Sequence, residues 1–209
     1  MPSIEQLNSE EISNRQECNL CKESLLGIGK KTSYGATIIY NTGNKENGWF
    51  ATLSPKTGSS PEKDFTIQLM PLAHLTHFSQ LSKYPELAKN YGTAFSKLSN
   101  AMASVMAEEN PEFQATAKTK ELAVSIGTYA KCTNWQEKKE HLHIKLFPFK
   151  GNIGQPYTVD SSFGRKEVFK EKETGKSFVK MSPVNKVLIP EKRLEQLSQK
   201  LIKILGAKQ

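Results

Sequence analysis

The chain has 209 residues, enough for one well-packed domain with an extension or for two small domains. Hydrophobic residues make up 37% and charged residues 24%, and no apolar run approaches the roughly 18–20 residues that cross a bilayer, so we expect a globular protein without a membrane anchor. Its three cysteines are too few for a disulfide framework, so we expect a reducing compartment, most simply the cytoplasm.

The formal net charge of +8 is concentrated in the last third of the chain. Residues 150–209 contain 13 Lys and Arg against 6 Asp and Glu, whereas residues 1–149 contain 16 against 15. A basic segment of this kind could make weak contact with nucleic acid or attract a phosphorylated substrate. The alternative is a solvated lysine-rich surface, which the glutamates interspersed among residues 166–176 favour.

The first part of the chain is predicted to consist of a polar lead-in followed by strands. Residues 1–16 are the lead-in, and a C-x-x-C pair follows at Cys18 and Cys21. Runs of apolar and β-branched residues, bounded by Gly, Asn, Pro and Ser, predict three strands. These strands cover Tyr34–Tyr40, Trp49–Leu53 and Phe65–Pro71.

The longest predicted helix runs from about Tyr84 to Glu109, and Pro111 lies just past its end. Its apolar residues recur at helical spacing and should face a core. They are Leu87, Tyr91, Ala94, Leu98, Ala101, Met102, Val105 and Met106.

Further elements are predicted in the second part of the chain. Strands are expected near Leu122–Tyr129, over residues 141–149 and at Val184–Ile189. Pro190–Leu205 is predicted to form an amphipathic helix. The residues on its apolar side are Leu194, Leu197, Leu201, Ile202 and Leu205.

This order of elements predicts an α+β fold, in which the long helix packs on one face of a mostly antiparallel sheet. We expect the lead-in of residues 1–16 to be followed by one domain over residues 17–150. Residues 151–209 would form a basic C-terminal extension that ends in the amphipathic helix.

The segment E-H-L-H-I-K-L-F-P-F at residues 140–149 carries two of the four histidines of the chain. Because strand side chains alternate between faces, His141, His143 and Lys145 should share one face and the apolar residues between them the other. Two imidazoles and an ammonium on one face are suited to gripping a phosphate. A half-buried strand whose polar face happens to hold histidines fits the spacing equally well.

The C-x-x-C pair is a candidate for half of a zinc site, because thiolates at this spacing can both bind one ion. A redox pair or a chance pair has the same spacing. The chain has no second C-x-x-C, so histidines would have to complete such a site. His74 and His77 follow a predicted strand and could point together or apart. Cys132 is expected to be a small, buried or half-buried apolar residue.

Four motifs in order resemble the histidine-triad superfamily over roughly residues 17–150. They are C-N-L-C, W-F-A-T-L-S-P, I-Q-L-M-P-L-A-H-L-T-H-F-S-Q-L and H-L-H-I-K-L-F-P-F. The last of these stands where the family has its H-φ-H-φ-H or H-x-H-x-Q motif. The resemblance implies the antiparallel sheet and single long helix of that superfamily.

The resemblance also implies roles for individual residues. In zinc-containing members, including the galactose-1-phosphate uridylyltransferase branch, a structural zinc is held by the cysteine pair, the histidine after the P-x-x-H strand and the first histidine of the triad. Those residues are here Cys18, Cys21, His74 and His141. His77 would then be a surface or helix-start residue. His143 would be the nucleophile that attacks an α-phosphate and forms a nucleotidyl-histidine.

Two features depart from the family pattern. Lys145 stands where His or Gln is usual; we expect it to bind a non-bridging phosphate oxygen, and the alternative is that it points to solvent and activity is lost. The usual Gly/Ser-rich phosphate loop is replaced by C-T-N-W-Q-E-K-K-E, in which Asn134 and Gln136 are candidates for polar contacts. Phe50 and Leu53 occupy the places of apolar nucleoside contacts, although either could equally belong to the core.

The resemblance thus implies a zinc-containing nucleotide hydrolase or nucleotidylyltransferase that acts on a nucleotide or a dinucleoside polyphosphate. A homodimer is expected, because the triad branches often pair through the long helix and a sheet edge. The alternative is a nucleotide- or nucleic-acid-binding protein that keeps the fold without turnover. A purely structural use of the metal in an interaction domain is a third interpretation.

Overall fold

The computed structural model describes residues 18–57, 60–110, 126–131, 141–148, 166–181 and 186–206. We number the elements of these residues in chain order. The strands are β1 Thr37–Thr42, β2 Trp49–Leu53, β3 Lys56–Thr57, β4 Ile67–Pro71, β5 Ile126–Lys131, β6 His143–Pro148, β7 Lys166–Lys170, β8 Ser177–Met181 and β9 Val187–Leu188. The helices are α1 Asn19–Glu23, α2 Pro85–Glu109 and α3 Glu191–Ile204, with a short 3-10 helix at Phe78–Lys83.

Five of these strands form one antiparallel sheet in the order β1-β2-β4-β6-β5. Two smaller pairs, β3 with β9 and β7 with β8, are also antiparallel. The predicted α+β class is therefore confirmed. Within the described ranges, no helix is both long enough and apolar enough to span a bilayer.

The main core lies between the sheet and helices α2 and α3. Alternation along β2 sends Trp49, Ala51 and Leu53 into this core, where all three are fully buried. The Trp49 indole Nε1–H donates to the carbonyl oxygen of Leu87 at 2.9 Å, which joins β2 to the first turn of α2. Helix α2 begins at a proline, whose missing N–H costs nothing in the first turn.

The opposite face of the sheet carries a second, smaller cluster. Ile38, Phe50 and Met70 from three neighbouring strands are fully buried there. The chain around α1 covers this cluster with partly buried apolar residues, and the residue after β4 adds another. They are Leu20, Leu26, Ile28 and Leu72. The cysteine-bearing segment is thereby held against the sheet face that α2 does not occupy.

The C-terminal helix belongs to the main core. Its buried leucines, Leu194, Leu197 and Leu201, lie in the same cluster as the apolar side chains of α2. Strand β9 pairs with β3, and the Ile189 amide donates to the carbonyl of Pro55 at 2.9 Å. The sequence left open whether the predicted extension folds onto the first domain; its last described part does.

Ion pairs add polar contacts between α2 and α3. The guanidinium of Arg193 contacts Glu109 at 3.0 Å, and its Nε–H donates to the carbonyl of Pro61 at 2.8 Å. The Lys200 ammonium lies 2.8 Å from Glu108 and 3.0 Å from Glu109. These contacts fix the crossing of the two helices on their solvent side.

The predicted elements agree with the structure where local spacing determines them. Helix α2 and strand β2 match their predicted bounds within one residue, and α3 does so as well. The first strand begins at Thr37 rather than Tyr34, because a turn precedes it. In this turn Gly35 takes a φ of 86°, and the Gly35 amide donates to the carbonyl oxygen of Thr32. Of the strand predicted at Leu122–Tyr129, the described part begins at Ile126 and continues to Lys131.

The hairpin β7–β8 was not predicted from the sequence. It occupies residues 166–181. Part of this range belongs to the basic segment, for which the sequence predicts either a lysine-rich surface or contact with a polyanion. Its turn places Gly175 at a φ of 68°, and the Gly175 amide donates to the carbonyl of Glu171. Gly175 lies between two apolar pairs, V-F and F-V, and this pattern in the sequence could have identified the hairpin.

Candidate functional site

A cluster of two cysteines and two histidines joins three separate parts of the fold. Cys18 precedes α1 and Cys21 lies within it, His74 follows β4, and His141 precedes β6. One ligand atom from each residue lies within 4.8 Å of the others. These are the four residues that the family resemblance implies as metal ligands, and they could hold a metal ion.

The sulfur–nitrogen distances within the cluster are short. His141 Nδ1 lies 3.5 Å from both cysteine sulfurs, and His74 Nδ1 lies 3.3 Å from the Cys21 sulfur. The two imidazoles meet edge to face, with ring centroids 5.2 Å apart. Neither cysteine forms a disulfide. Cys18, His74 and His141 are buried, and Cys21 is partly exposed.

A backbone contact orients the His141 ring. Its Nε2 lies 3.1 Å from the carbonyl oxygen of Pro71, the last residue of β4. Because a carbonyl only accepts, the proton of the neutral ring is on Nε2, and the Nδ1 lone pair points at the two sulfurs. A hydrogen bond of this kind on the non-ligating nitrogen is typical of metal-binding histidines.

The cluster favours an ionised thiol. The hydrogen bond with the Cys21 side chain holds the pKa of Cys18 far below its ordinary value, against the opposing effect of burial. Burial raises the pKa of the nearby Glu23, and the negative charge of Cys18 raises it further. A thiolate is the form that binds a metal, so the lowered pKa favours the form of Cys18 that can act as a ligand.

His143 and Lys145 lie on the sheet face opposite α2. The residues between and after them, Ile144 and Leu146, are in the main core, so the alternation predicted for this strand is confirmed. His143 is 7% exposed and Lys145 is 5% exposed. The alternative in which Lys145 points to solvent is therefore wrong, because its side chain is almost wholly covered.

The ring of His143 is held by the chain itself. Its Nδ1 lies 3.3 Å from the carbonyl oxygen of His141. Because the carbonyl only accepts, the proton of the neutral ring is on Nδ1, which places the lone pair on Nε2. This is the tautomer that a nucleophilic Nε2 requires, and it depends on the same residue whose side chain faces the cysteines.

The residues predicted to contact the nucleoside have other surroundings. Leu53 is fully buried in the main core, on the face opposite His143, because strand alternation groups it with Trp49. Phe50 shares the face of His143 but is fully buried under the chain around α1. Asn134, Gln136 and Cys132 lie outside the described residues.

His77 lies apart from the cysteines, as the resemblance implied. It is exposed and precedes the 3-10 helix Phe78–Lys83. Its amide donates to Gln80 Oε1 at 2.9 Å, and its Nδ1 lies 2.8 Å from Thr76 Oγ1. His77 therefore begins a helix, which is the second of the two roles expected for it.

Gln68 is a polar residue of the site face that the motifs did not indicate. It is paired directly with Lys145 across the β4–β6 ladder and with Thr52 across the β2–β4 ladder. The signal in the sequence is a single glutamine inside the apolar strand I-Q-L-M-P, which is a costly position for an amide without a role.

A cavity of about 510 Å3 adjoins the cluster of cysteines and histidines. Cys21 and His74 contribute to its lining, together with Leu72. Lys22 and Leu25, on the chain at and just after α1, also line it and are exposed, Leu25 at 82%. A metal ion bound by the cluster would hold two of the lining side chains in place.

No family model, curated protein or solved structure matches the chain. The likeness to the histidine-triad superfamily therefore stays a prediction from four motifs. What the site can do chemically follows from its own donor atoms and contacts. These are two thiols and two imidazoles that could hold a metal, and an oriented imidazole beside a buried ammonium.

Proposed function

We propose that this protein is a zinc-stabilised, histidine-triad-like nucleotide hydrolase or nucleotidylyltransferase in which His143 is the nucleophile. The observation that carries the proposal is the contact between His143 Nδ1 and the carbonyl of His141. It places the reactive lone pair on Nε2, on the same face as an ammonium that can bind phosphate.

Zinc is the metal that the donor set supports best. Two thiolates and two imidazoles are a common ligand set for structural zinc. In a tetrahedral site with Zn–S of about 2.3 Å and Zn–N of about 2.0–2.1 Å, sulfur and nitrogen ligands lie roughly 3.5 Å apart. The sulfur–nitrogen contacts of the cluster, at 3.3–3.5 Å, agree with this value. With four protein ligands the site is closed, so the ion would tie α1, β4 and β6 together.

The proposed reaction has two displacements at the α-phosphorus. His143 Nε2 forms a bond to phosphorus while the bond from phosphorus to the leaving oxygen or nitrogen breaks, and the leaving group departs with the electron pair. Water or a second phosphate then attacks the phosphorus, the P–N bond breaks, and its electron pair restores the neutral imidazole. An attacking water gives up one proton to solvent, and a nitrogen leaving group takes one up from solvent. Dividing one displacement into two lowers the barrier of each.

Lys145 would stabilise the charge that develops on the non-bridging oxygens. Its position two residues after His143 puts both side chains on one face of β6. The site is covered, and a cation acts more strongly on a phosphate where water is excluded. The expected substrates are a nucleotide or a dinucleoside polyphosphate, with a phosphoanhydride, phosphoramidate or sugar-nucleotide bond at the α-phosphate. The homodimer remains a prediction.

A second candidate is a nucleotide- or nucleic-acid-binding protein of the same fold that has no turnover. The observation that favours it is the β7–β8 hairpin, on which Lys170, Lys172 and Lys176 are exposed. Exposed lysines on a hairpin could contact a phosphate backbone. Glu173 in the same turn is also exposed and weakens the positive field.

Covalent labelling separates the two candidates. The protein is incubated with α-labelled ATP, diadenosine tetraphosphate or adenosine phosphoramidate and denatured without acid, because a phosphoramidate bond is acid-labile. We expect label on the wild-type protein and on His77→Ala, and none on His143→Ala. Nucleotide binding without label or turnover for all three substrates would instead support the binding protein.

A further inference from the structure

Strand β4 contains one polar side chain in an otherwise apolar run. Ile67 and Leu69 lie in the main core, so alternation sends Gln68 to the opposite face, where Met70 is also found. The other four residues of the strand are buried, whereas Gln68 is half-buried. Within the described residues, no hydrogen bond occupies its carboxamide.

The ladder places this carboxamide beside the proposed phosphate site. Gln68 is the direct partner of Lys145 in the antiparallel pairing of β4 with β6. Directly paired residues on one face have Cβ atoms about 4.5–5.5 Å apart. Two side chains as long as glutamine and lysine can therefore converge on a single phosphate group.

The chemistry of the pair is complementary. The superfamily that the motifs resemble usually has a neutral donor, His or Gln, at the position that Lys145 occupies here. Lysine provides a point charge on a flexible stem, which neutralises a phosphate but orients it weakly. A carboxamide NH2 on the neighbouring strand has the fixed donor geometry that the ammonium lacks.

We infer that Gln68 is a phosphate-contacting residue that supplies this neutral donor to a non-bridging oxygen of the α-phosphate. The inference rests on the proposed function. Gln68 would supply the neutral donor from the adjacent strand, and Lys145 would supply the charge. The Lys145 ammonium and the Gln68 carboxamide together should bind most tightly those substrates whose charged α-phosphate is flanked by a further phosphate.

The first test is Gln68→Met, which keeps the length of the side chain and removes both polar atoms. We expect AMP to bind roughly 10- to 100-fold more weakly, and turnover of the best substrate to fall by a similar factor, as for loss of a hydrogen bond to a charged group. Gln68→Glu should reduce AMP binding and turnover further, because its carboxylate would repel the phosphate. Calorimetry and steady-state kinetics measure the two effects.

The sharper test exchanges the two side chains. Lys145→Gln and Gln68→Lys should each lower turnover, and the double variant should recover much of the loss, because it again has one ammonium and one carboxamide on adjacent strands. A double-mutant cycle measures the coupling between the two sites. A purely structural glutamine would give additive losses.

Gln196→Met on the exposed side of α3 is the matched control and should change neither binding nor turnover. Unfolding curves and zinc content show whether each variant is folded. If the wild type is labelled, and Gln68→Met is labelled, binds AMP and turns over substrate like it, the inference fails and the proposed function stands. If the wild type binds AMP without label or turnover, the proposed function fails. If the wild type neither binds nucleotide nor is labelled, both fail.

Discussion

At the scale of single residues, the site depends on two histidine rings held by carbonyl oxygens. Pro71 accepts from His141, and the carbonyl of His141 accepts from His143. Each carbonyl selects one tautomer, and the two choices differ: one ring offers Nδ1 to the cysteines, and the other offers Nε2 to the face of the sheet. In the proposed function, one short segment would thus serve a metal and a phosphate at the same time.

Trp49 offers a test of packing at this scale. Trp49→Phe removes the hydrogen bond to Leu87 and leaves space beside Tyr91, whose ring centroid is 5.2 Å away. We expect the free energy of unfolding to fall by about 2 kcal/mol, from the lost hydrogen bond and the lost apolar contact. Urea unfolding followed by circular dichroism measures the change. Leu25→Ser, at an exposed apolar position, should change stability by less than about 0.5 kcal/mol.

At the scale of elements, the four-residue cluster connects segments that lie far apart in the sequence. It links the short helix α1, the end of β4 and the start of β6. Cys18 and His141 are 123 positions apart in the chain, so the cluster closes a very long loop. Binding one ion here would restrain the segment that covers Phe50 and the strand that carries His143.

Loss of a ligand should therefore affect both metal content and stability. For Cys18→Ser we expect zinc to fall from one ion per chain to a small fraction, and stability to fall by roughly 3 kcal/mol or more. Chelation of the wild type should give the same loss. Plasma emission spectrometry and thermal unfolding are the measurements, and His77→Ala is the control that should keep its zinc. Unchanged stoichiometric zinc in Cys18→Ser would refute the ligand set.

The contact between α2 and α3 gives a prediction about ion pairs. The Arg193 and Glu109 side chains are only 20% and 18% exposed, so removing one leaves the other poorly solvated. We expect Arg193→Ala to cost about 1–2 kcal/mol, with little dependence on salt. The exposed pair of Lys31 with Glu191 is the comparison, and Lys31→Ala should have a much smaller effect that disappears in salt.

At the scale of the whole molecule, the C-terminal end of the described chain folds into the main core. Helix α3 and strand β9 come from the predicted extension, yet the apolar side of α3 lies in the main core and β9 pairs with β3. Residues 17–150 alone would expose the side of α2 and β1 that α3 covers. The unit that folds therefore includes the C-terminal helix.

Removing this helix should abolish cooperative folding. We expect a chain ended at residue 185 to aggregate or to unfold without a clear transition, whereas the full chain unfolds in one step. Leu197→Ala is the milder test: as a fully buried leucine it should cost about 2–5 kcal/mol and shift one transition without splitting it. Two separate transitions in calorimetry of the full chain would contradict a single core.

Much of the site could be predicted from local spacing together with the family resemblance. Alternation was sufficient to divide residues 141–146 between two faces, and helical spacing was sufficient to find α2 and its buried side. The resemblance brought the four candidate ligands together correctly. The resemblance predicted nucleoside contacts at Phe50 and Leu53, but both side chains are fully buried. A motif does not say which other segment covers a side chain.

Spacing along the chain, by itself, determined the type of most elements and the face on which each side chain lies, because period and propensity are properties of neighbouring residues. Only the tertiary structure decided which distant residues meet. The pairing of Gln68 with Lys145, the covering of Phe50 by the chain around α1 and the entry of α3 into the main core all depend on strand register and loop closure. These are set by the burial of the whole core, to which every element contributes at once.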